Sequence, residues 1–183
     1  MKTFILNWKN LNHYQEIFSV NDVQGIYSWG FKIDDIYYPY YVGKAINIKN
    51  RLIEHINMLY GGRYTIILPE GLKDIKKIKS DLKAYLETNL IIYVPKWPDG
   101  YCEFLNKRND LSPHIDYMIE HFHFSYCELP DISDIDLSDV EKECLLSFGL
   151  ENLINTRAGK TNITIENKGC SIILSKMKKS NEY

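Results

Sequence analysis

The run from Gly25 to Tyr60 constrains this chain more than any other part of it. Ile26-Tyr27-Ser28-Trp29-Gly30-Phe31-Lys32-Ile33 is β-branched and aromatic with rough alternation, the pattern of a strand. Asp34-Asp35 supplies a turn and Ile36 to Val42 is a second, Tyr-rich strand, so the two close into a β-hairpin. Pro39 cannot donate to a ladder and belongs at an edge or a bulge, and Gly43 ends the strand. From Ile46 to Tyr60 the period changes: Ile48, Leu52, Ile56 and Leu59 fall at helical spacing, with Asn47 as N-cap and Gly61-Gly62 as a stop. Arg51 and His55, four residues apart, then share one helix face beside the apolar stripe.

The flanking regions are less regular. Between Met1 and Asp22 a short apolar start, Phe4-Ile5-Leu6, precedes Trp8, Leu11, Tyr14, Ile17 and Phe18, whose spacing predicts a short helix packed on the core. Residues 63–113 read as an apolar run from Tyr64 to Leu68, a lysine-rich helix over about Leu72–Thr88, a strand from Leu90 to Val94 and a Pro-Lys-Trp-Pro-Asp-Gly loop. Lys73, Lys76, Lys77, Lys79 and Lys83 make that helix a solvated face first and a phosphate-contacting face second. Pro113–Glu120 is predicted helical and His121–Leu129 a strand, with Phe122, Phe124 and Tyr126 on one side. His121, His123 and Cys127 lie nearer the other side; without a second ligand pair they read as half-exposed strand residues rather than zinc ligands. Ser138-Asp139-Val140-Glu141 has the form of a capping box opening a helix to about Phe148, with Gly149 just past its end.

Composition places the chain among globular proteins with a real core: 183 residues, 45% hydrophobic and 25% charged, the size of one domain. Fourteen tyrosines suit half-buried strands and nucleic-acid surfaces alike. The net charge of −2 gives no global basic signature, and it leaves local Lys/Arg contacts to phosphate open. Four cysteines without a C-x-x-C pair, and no basic start followed by a long apolar run, imply a reduced, cytoplasmic protein. No apolar run approaches the ~20 residues that cross a bilayer, so no membrane partner is expected.

Gly25-Ile26-Tyr27, a hairpin, Tyr41-Val42-Gly43, then Arg51 and His55 on the next helix, an acidic helix and a later Asn together resemble the GIY-YIG nuclease family. Each residue alone has an ordinary explanation in packing, punctuation or an exposed helix face; the ordered set carries the resemblance. It covers roughly Val20 to Asn162, with Val in place of Ile in the second half-motif and a segment over 63–113 longer than a minimal domain needs. It implies a single domain of α/β (α+β) class over 1–183: a small central antiparallel sheet of about three strands flanked by helices, a core over 20–162, an insertion over 63–113 and a short basic tail over 176–183.

The resemblance also implies a Mg²⁺-dependent DNA endonuclease, and residue chemistry can be set beside it. Glu141, Glu143 and Glu151 compete for the family's acid. Glu141 occupies the fourth position of the capping box, a structural job. Glu143 begins Glu-Cys-Leu-Leu-Ser-Phe, similar to the family's acid with its hydrophobic run and an Asn about a dozen residues on. Glu143 is therefore the expected metal ligand and Asn155 the expected Asn, ahead of Glu151 and Asn162. One carboxylate holding one Mg²⁺ that keeps several waters fits phosphodiester hydrolysis, with Mn²⁺ as a substitute. Arg51 is the phosphate clamp. Free Tyr has a pKa of about 10, so a tyrosine base needs lowering by Arg51, Lys44 or the metal. Tyr27 is favoured narrowly over Tyr41, with His55 accepting or relaying the proton, and Gly25, Gly43 and Lys44 are the remaining phosphate or substrate contacts.

The expected setting is a stand-alone restriction-type or mobile-element/defence nuclease, monomer or homodimer. Arg63–Pro113 and Asn155–Lys168 would then select the site. The alternatives are a non-cleaving nucleic-acid-binding module on the same fold, or a repair, structure-specific or RNA nuclease.

Overall fold

The computed structural model describes residues 2–73, 90–96, 100–149, 153, 159 and 161–170. In chain order it contains β1 (Lys2–Leu11), a 3₁₀ turn (Tyr14–Ser19), β2 (Gly25–Ile33), β3 (Ile36–Ala45), α1 (Ile48–Tyr60), β4 (Ile66–Ile67) and α2 (Pro69–Leu72). After these come β5 (Ile91–Tyr93), α3 (Gly100–Glu120), β6 (Phe122–Glu128), α4 (Asp134–Phe148) and β7 (Ile163–Gly169). The class is mixed α/β. A five-stranded sheet ordered β3-β2-β6-β1-β7 forms its centre, and β4 pairs with β5 in a separate two-stranded ribbon.

Strand alternation sends side chains to two separate cores. Tyr27, Trp29 and Phe31 of β2 with Phe122, Phe124 and Tyr126 of β6 pack against Ile48, Leu52 and Leu59 of α1 and Phe104, Leu111, Ile115 and Met118 of α3. Ile26 and Cys127 face the other way, onto Leu137, Val140, Cys144, Leu145 and Phe148 of α4, with Leu6, Trp8, Ile163 and Ile165. Burying each such side chain is worth about 1.5–3 kcal/mol, so both faces of the sheet contribute to stability.

The hairpin forms as its residues dictate. Asp34 and Asp35 turn the chain at positive φ, 50° and 61°, a region Asp tolerates better than most residues. β3 is an edge strand, which accommodates Pro39. The register slips beside it: Trp29 pairs with Tyr41 and Gly30 with Pro39, so Tyr40 is the extra residue of a β-bulge.

Elsewhere the structure departs from local pattern. The sheet has five strands rather than about three and is not wholly antiparallel, because β1 pairs with β7 in parallel from Lys2 to Trp8. The N-terminal segment is thus a strand through Leu11 followed by one 3₁₀ turn, not a helix over Trp8–Phe18. Its aromatic spacing fits both periods, and pairing with distant strands decides between them. β6 is sandwiched between β2 and β1, so His123, expected to be half-exposed, is 3% exposed.

α3 begins at Gly100, 13 residues before the expected Pro113 start, and carries Pro113 within it. Pro113 and Asn109 are both exposed, so the carbonyl freed by the missing N–H faces water. α4 begins at Asp134, capped by Ser133, whose Oγ accepts from the Asp136 N–H at 3.2 Å. Ser138–Glu141 therefore lies inside the helix and is no capping box. The lysine-rich run is outside the described residues except for its first members, Leu72 and Lys73; Lys73 pairs with Asp34 at 2.7 Å. No helix among the described residues is long and apolar enough to cross a membrane.

Candidate active site

α1 brings two of the motif residues to β2. Asn47 caps it, its side chain accepting from the Asn50 N–H at 2.9 Å. The burial of Ile48, Leu52 and Leu59 then fixes the helix rotation. Arg51 and His55 consequently converge on one atom: Arg51 Nε donates to Tyr27 Oη at 3.2 Å, and His55 Nε2 lies 3.0 Å from the same oxygen. Beyond Gly61-Gly62 the chain doubles back and sets Tyr64 Oη 2.5 Å from His55 Nδ1. Arg51 can only donate. Both imidazole tautomers fit these distances; the one in which Tyr27 donates to Nε2 and Nδ1–H donates to Tyr64 gives the buried Tyr27 O–H an acceptor.

Burial sets the protonation of this row. It pushes His55 down to about 3, with the Arg51 charge adding to the effect, so the imidazole is neutral. Burial, reinforced by Tyr41, raises Tyr27 well above an ordinary phenol, and the Arg51 hydrogen bond and charge only partly offset it. Tyr64 is pushed up to about 12, again mainly by burial. A tyrosine base needs lowering by its cationic neighbours; in the resting protein desolvation outweighs Arg51. Lys44 does not act on Tyr27 either, because its Nζ turns to Ser138 Oγ on α4.

Gly43 pairs with Tyr27 across the hairpin, and its missing side chain leaves room for the phenol. A Cβ there would lie 2.6 Å from Tyr27 Oη and 2.6 Å from the Tyr41 ring, which stacks on Tyr27 at 6.0 Å between centroids. Gly25 similarly abuts the backbone carbonyl of Cys127 on β6. Both glycines are buried. What they provide here is close approach between strands and rings.

The bulge adds an aromatic wall. With Tyr40 out of register, Tyr40 and Tyr41 both pack on Trp29, at 4.5 and 6.3 Å between centroids, instead of facing opposite sides of the strand. Trp29, Tyr40, Tyr41, Tyr64, Thr65 and Pro95 line a cavity of about 270 Å³, with Arg51, His55 and Arg63 on its polar side.

The acids separate on α4. Residues 141 and 143 differ by about 200° around a helix, so they face different neighbours. The carboxyl of Glu141 lies on the β3 side, where it accepts from the Lys44 backbone N–H. Burial raises its pKa, and the Lys44 charge works against that rise. Glu143 is turned away and accepts from Thr161 Oγ1 just before β7. Lys44 follows Gly43 directly, so Glu141 lies at the β3 edge one residue along from the glycine that packs on Tyr27. Asn155 and Glu151 lie outside the described residues. Among the described residues no three His, Cys, Asp or Glu side chains cluster as a metal cage. The donor set suits an oxygen-loving ion that takes one carboxylate and completes its shell with water and phosphate oxygens.

Tyr64, Trp29, Tyr40, Arg63 and the orientation of Glu141 are additions that sequence reasoning did not assign to the site. Tyr64 reads in sequence only as the start of an apolar run, and the S-x-x-E pattern at Ser138 gives Glu141 a capping job that the true cap at Ser133 displaces. Comparison of the chain with known families, with curated proteins and with solved structures finds no match.

Proposed function

We propose that the protein is a metal-dependent DNA endonuclease with a GIY-YIG-like domain, acting in the cytoplasm as a restriction-type or mobile-element/defence nuclease. The observation that carries this reading is the placement of Tyr27 Oη between Arg51 and a neutral His55. Hydrolysis of a phosphodiester needs a proton acceptor for water and positive charge for the phosphoryl oxygens, and this row offers both.

In this mechanism Tyr27 passes its proton to His55 Nε2 and takes one from the attacking water, while Arg51 Nε holds the transient phenolate. Tyr64 fixes the tautomer that leaves Nε2 free to accept. Arg51 meets phosphate with its Nη groups by exchanging Glu54, its partner at 2.6 Å. Glu54 is 54% exposed, and such ion pairs contribute only about 0.2–1 kcal/mol, so the exchange costs little.

Glu141 is assigned as the carboxylate for Mg²⁺ or Mn²⁺, ahead of Glu143, because it accepts from the backbone N–H of Lys44, the residue after Gly43, and because burial leaves its charge in need of a cation. Bound there, the cation would offset negative charge on the phosphoryl group. Lys44 adds positive potential next to it.

Incubation of plasmid DNA with the protein, with Mg²⁺ or Mn²⁺ and with EDTA, tests the proposal. Nicking or linearisation that requires the metal is expected. Binding without cutting under any divalent metal would leave a nucleic-acid-binding module instead, and cutting confined to RNA would replace the substrate.

A further inference from the structure

The cavity beside the Tyr27–His55 row is more than the row requires. Trp29 lies beneath it, covered by Tyr40 and Tyr64, which are inclined to it by 33° and 25° at 4.5 and 5.8 Å between centroids. Trp29 is 3% exposed and its indole nitrogen is buried, so the aromatic surface open to the cavity is that of the half-buried Tyr40 and Tyr64. Two guanidinium-bearing residues, Arg51 and Arg63, line the same space, and Arg63 is exposed at its mouth.

We infer that this cavity takes one unstacked nucleotide of the DNA, its base lying on the Tyr40 and Tyr64 rings and its phosphate held by Arg51 and Arg63. Stacking on aromatic side chains is tolerant of base identity, since every base has a π-face. At about 270 Å³ the cavity has room for a single nucleotide and not for a stacked pair of strands. A fully paired duplex keeps its bases in the stack, so the site favours DNA that is bulged, mismatched or opened beside the cut. The inference rests on the nuclease reading for the identity of that nucleotide, the one next to the scissile phosphate.

Fluorescence anisotropy in EDTA, where no cutting occurs, compares a labelled duplex carrying one unpaired nucleotide with the same duplex fully paired. The wild-type protein is expected to bind the first about tenfold more tightly, the ratio that about 1.4 kcal/mol of stacking represents. Tyr40→Ala should remove most of that preference and Tyr40→Phe should keep it. Arg63→Gln, at an exposed position where folding is not at stake, should weaken binding of the unpaired substrate more than of the paired one. Equal binding of the two duplexes by the wild type, or an undiminished preference in Arg63→Gln, overturns the inference. The nuclease reading is tested separately: a preference without cutting under any metal removes that reading alone, and cutting of paired DNA without a preference removes this one alone.

Discussion

His55 Nε2 sits 3.0 Å from Tyr27 Oη, the two residues 28 positions apart in sequence and each no more than 1% exposed. Burial keeps the imidazole neutral and the phenol protonated, so in the resting protein the shared proton stays on Tyr27. A titrated surface pair would be screened and solvated instead.

Tyr64 is a positioning residue for His55. Tyr64→Phe removes the Nδ1 partner and leaves the ring, so single-turnover cleavage is expected to fall about tenfold to a hundredfold with its pH profile displaced. Tyr27→Phe should fall by about 10²–10⁴, the span of lost acid–base catalysis. An unchanged pH profile in Tyr64→Phe would reduce Tyr64 to packing.

The two acids of α4 give opposite expectations. Glu141→Gln should abolish metal-dependent cleavage while thermal stability holds or rises, since a half-buried carboxyl whose pKa burial raises is replaced by a neutral amide. Glu143→Gln should keep cleavage and lose only the Thr161 contact. The reverse pattern would return the metal to Glu143.

Stability should fall in acid through His55. Its folded pKa of about 3 lies below the unfolded value near 6.5, so the unfolded chain binds the proton first. The contribution is intact above about pH 6.5 and is lost as pH falls toward 3, at up to ~1.4 kcal/mol per pH unit. His123, lowered to about 4 by burial, acts in the same direction. Denaturant titrations of His55→Gln across this range should therefore show a shallower decline than wild type, with the His123 part remaining.

Gly43→Ala tests the packing at the meeting point of Tyr27 and Tyr41. A methyl group 2.6 Å from both side chains requires one of them to move, and a loss of about 1–3 kcal/mol in chemical denaturation is expected, with cleavage falling as Tyr27 shifts. Wild-type stability in Gly43→Ala would show that the rings give way freely.

Helix capping offers a check independent of activity. Ser133→Ala should cost about 0.5–2 kcal/mol because Ser133 caps α4, whereas Ser138→Ala, inside the helix, should lose no cap. Equal losses would place the helix start elsewhere.

Legible in the residues alone are the hairpin, its Asp34-Asp35 turn, the irregularity near Pro39, and a helix from Ile48 that carries Arg51 and His55 on one face. These follow from turn chemistry, ring constraints and a period of 3.6, all acting within a few residues. The tertiary structure makes β1 a strand, because Lys2–Trp8 pairs with Ile163–Gly169, more than 150 residues away in sequence. It also decided that Tyr40 and Tyr41 face one way, that Tyr64 returns to His55, and that Glu141 rather than Glu143 turns to Lys44. The start of α4 shows why: S-x-x-E at Ser138 is a valid local cap, but Ser133 takes the position and the helix continues through the motif. A local pattern states which conformations a segment tolerates; which one it adopts, and which side chain then meets Tyr27, depends on sheet closure and burial between residues that are distant in sequence.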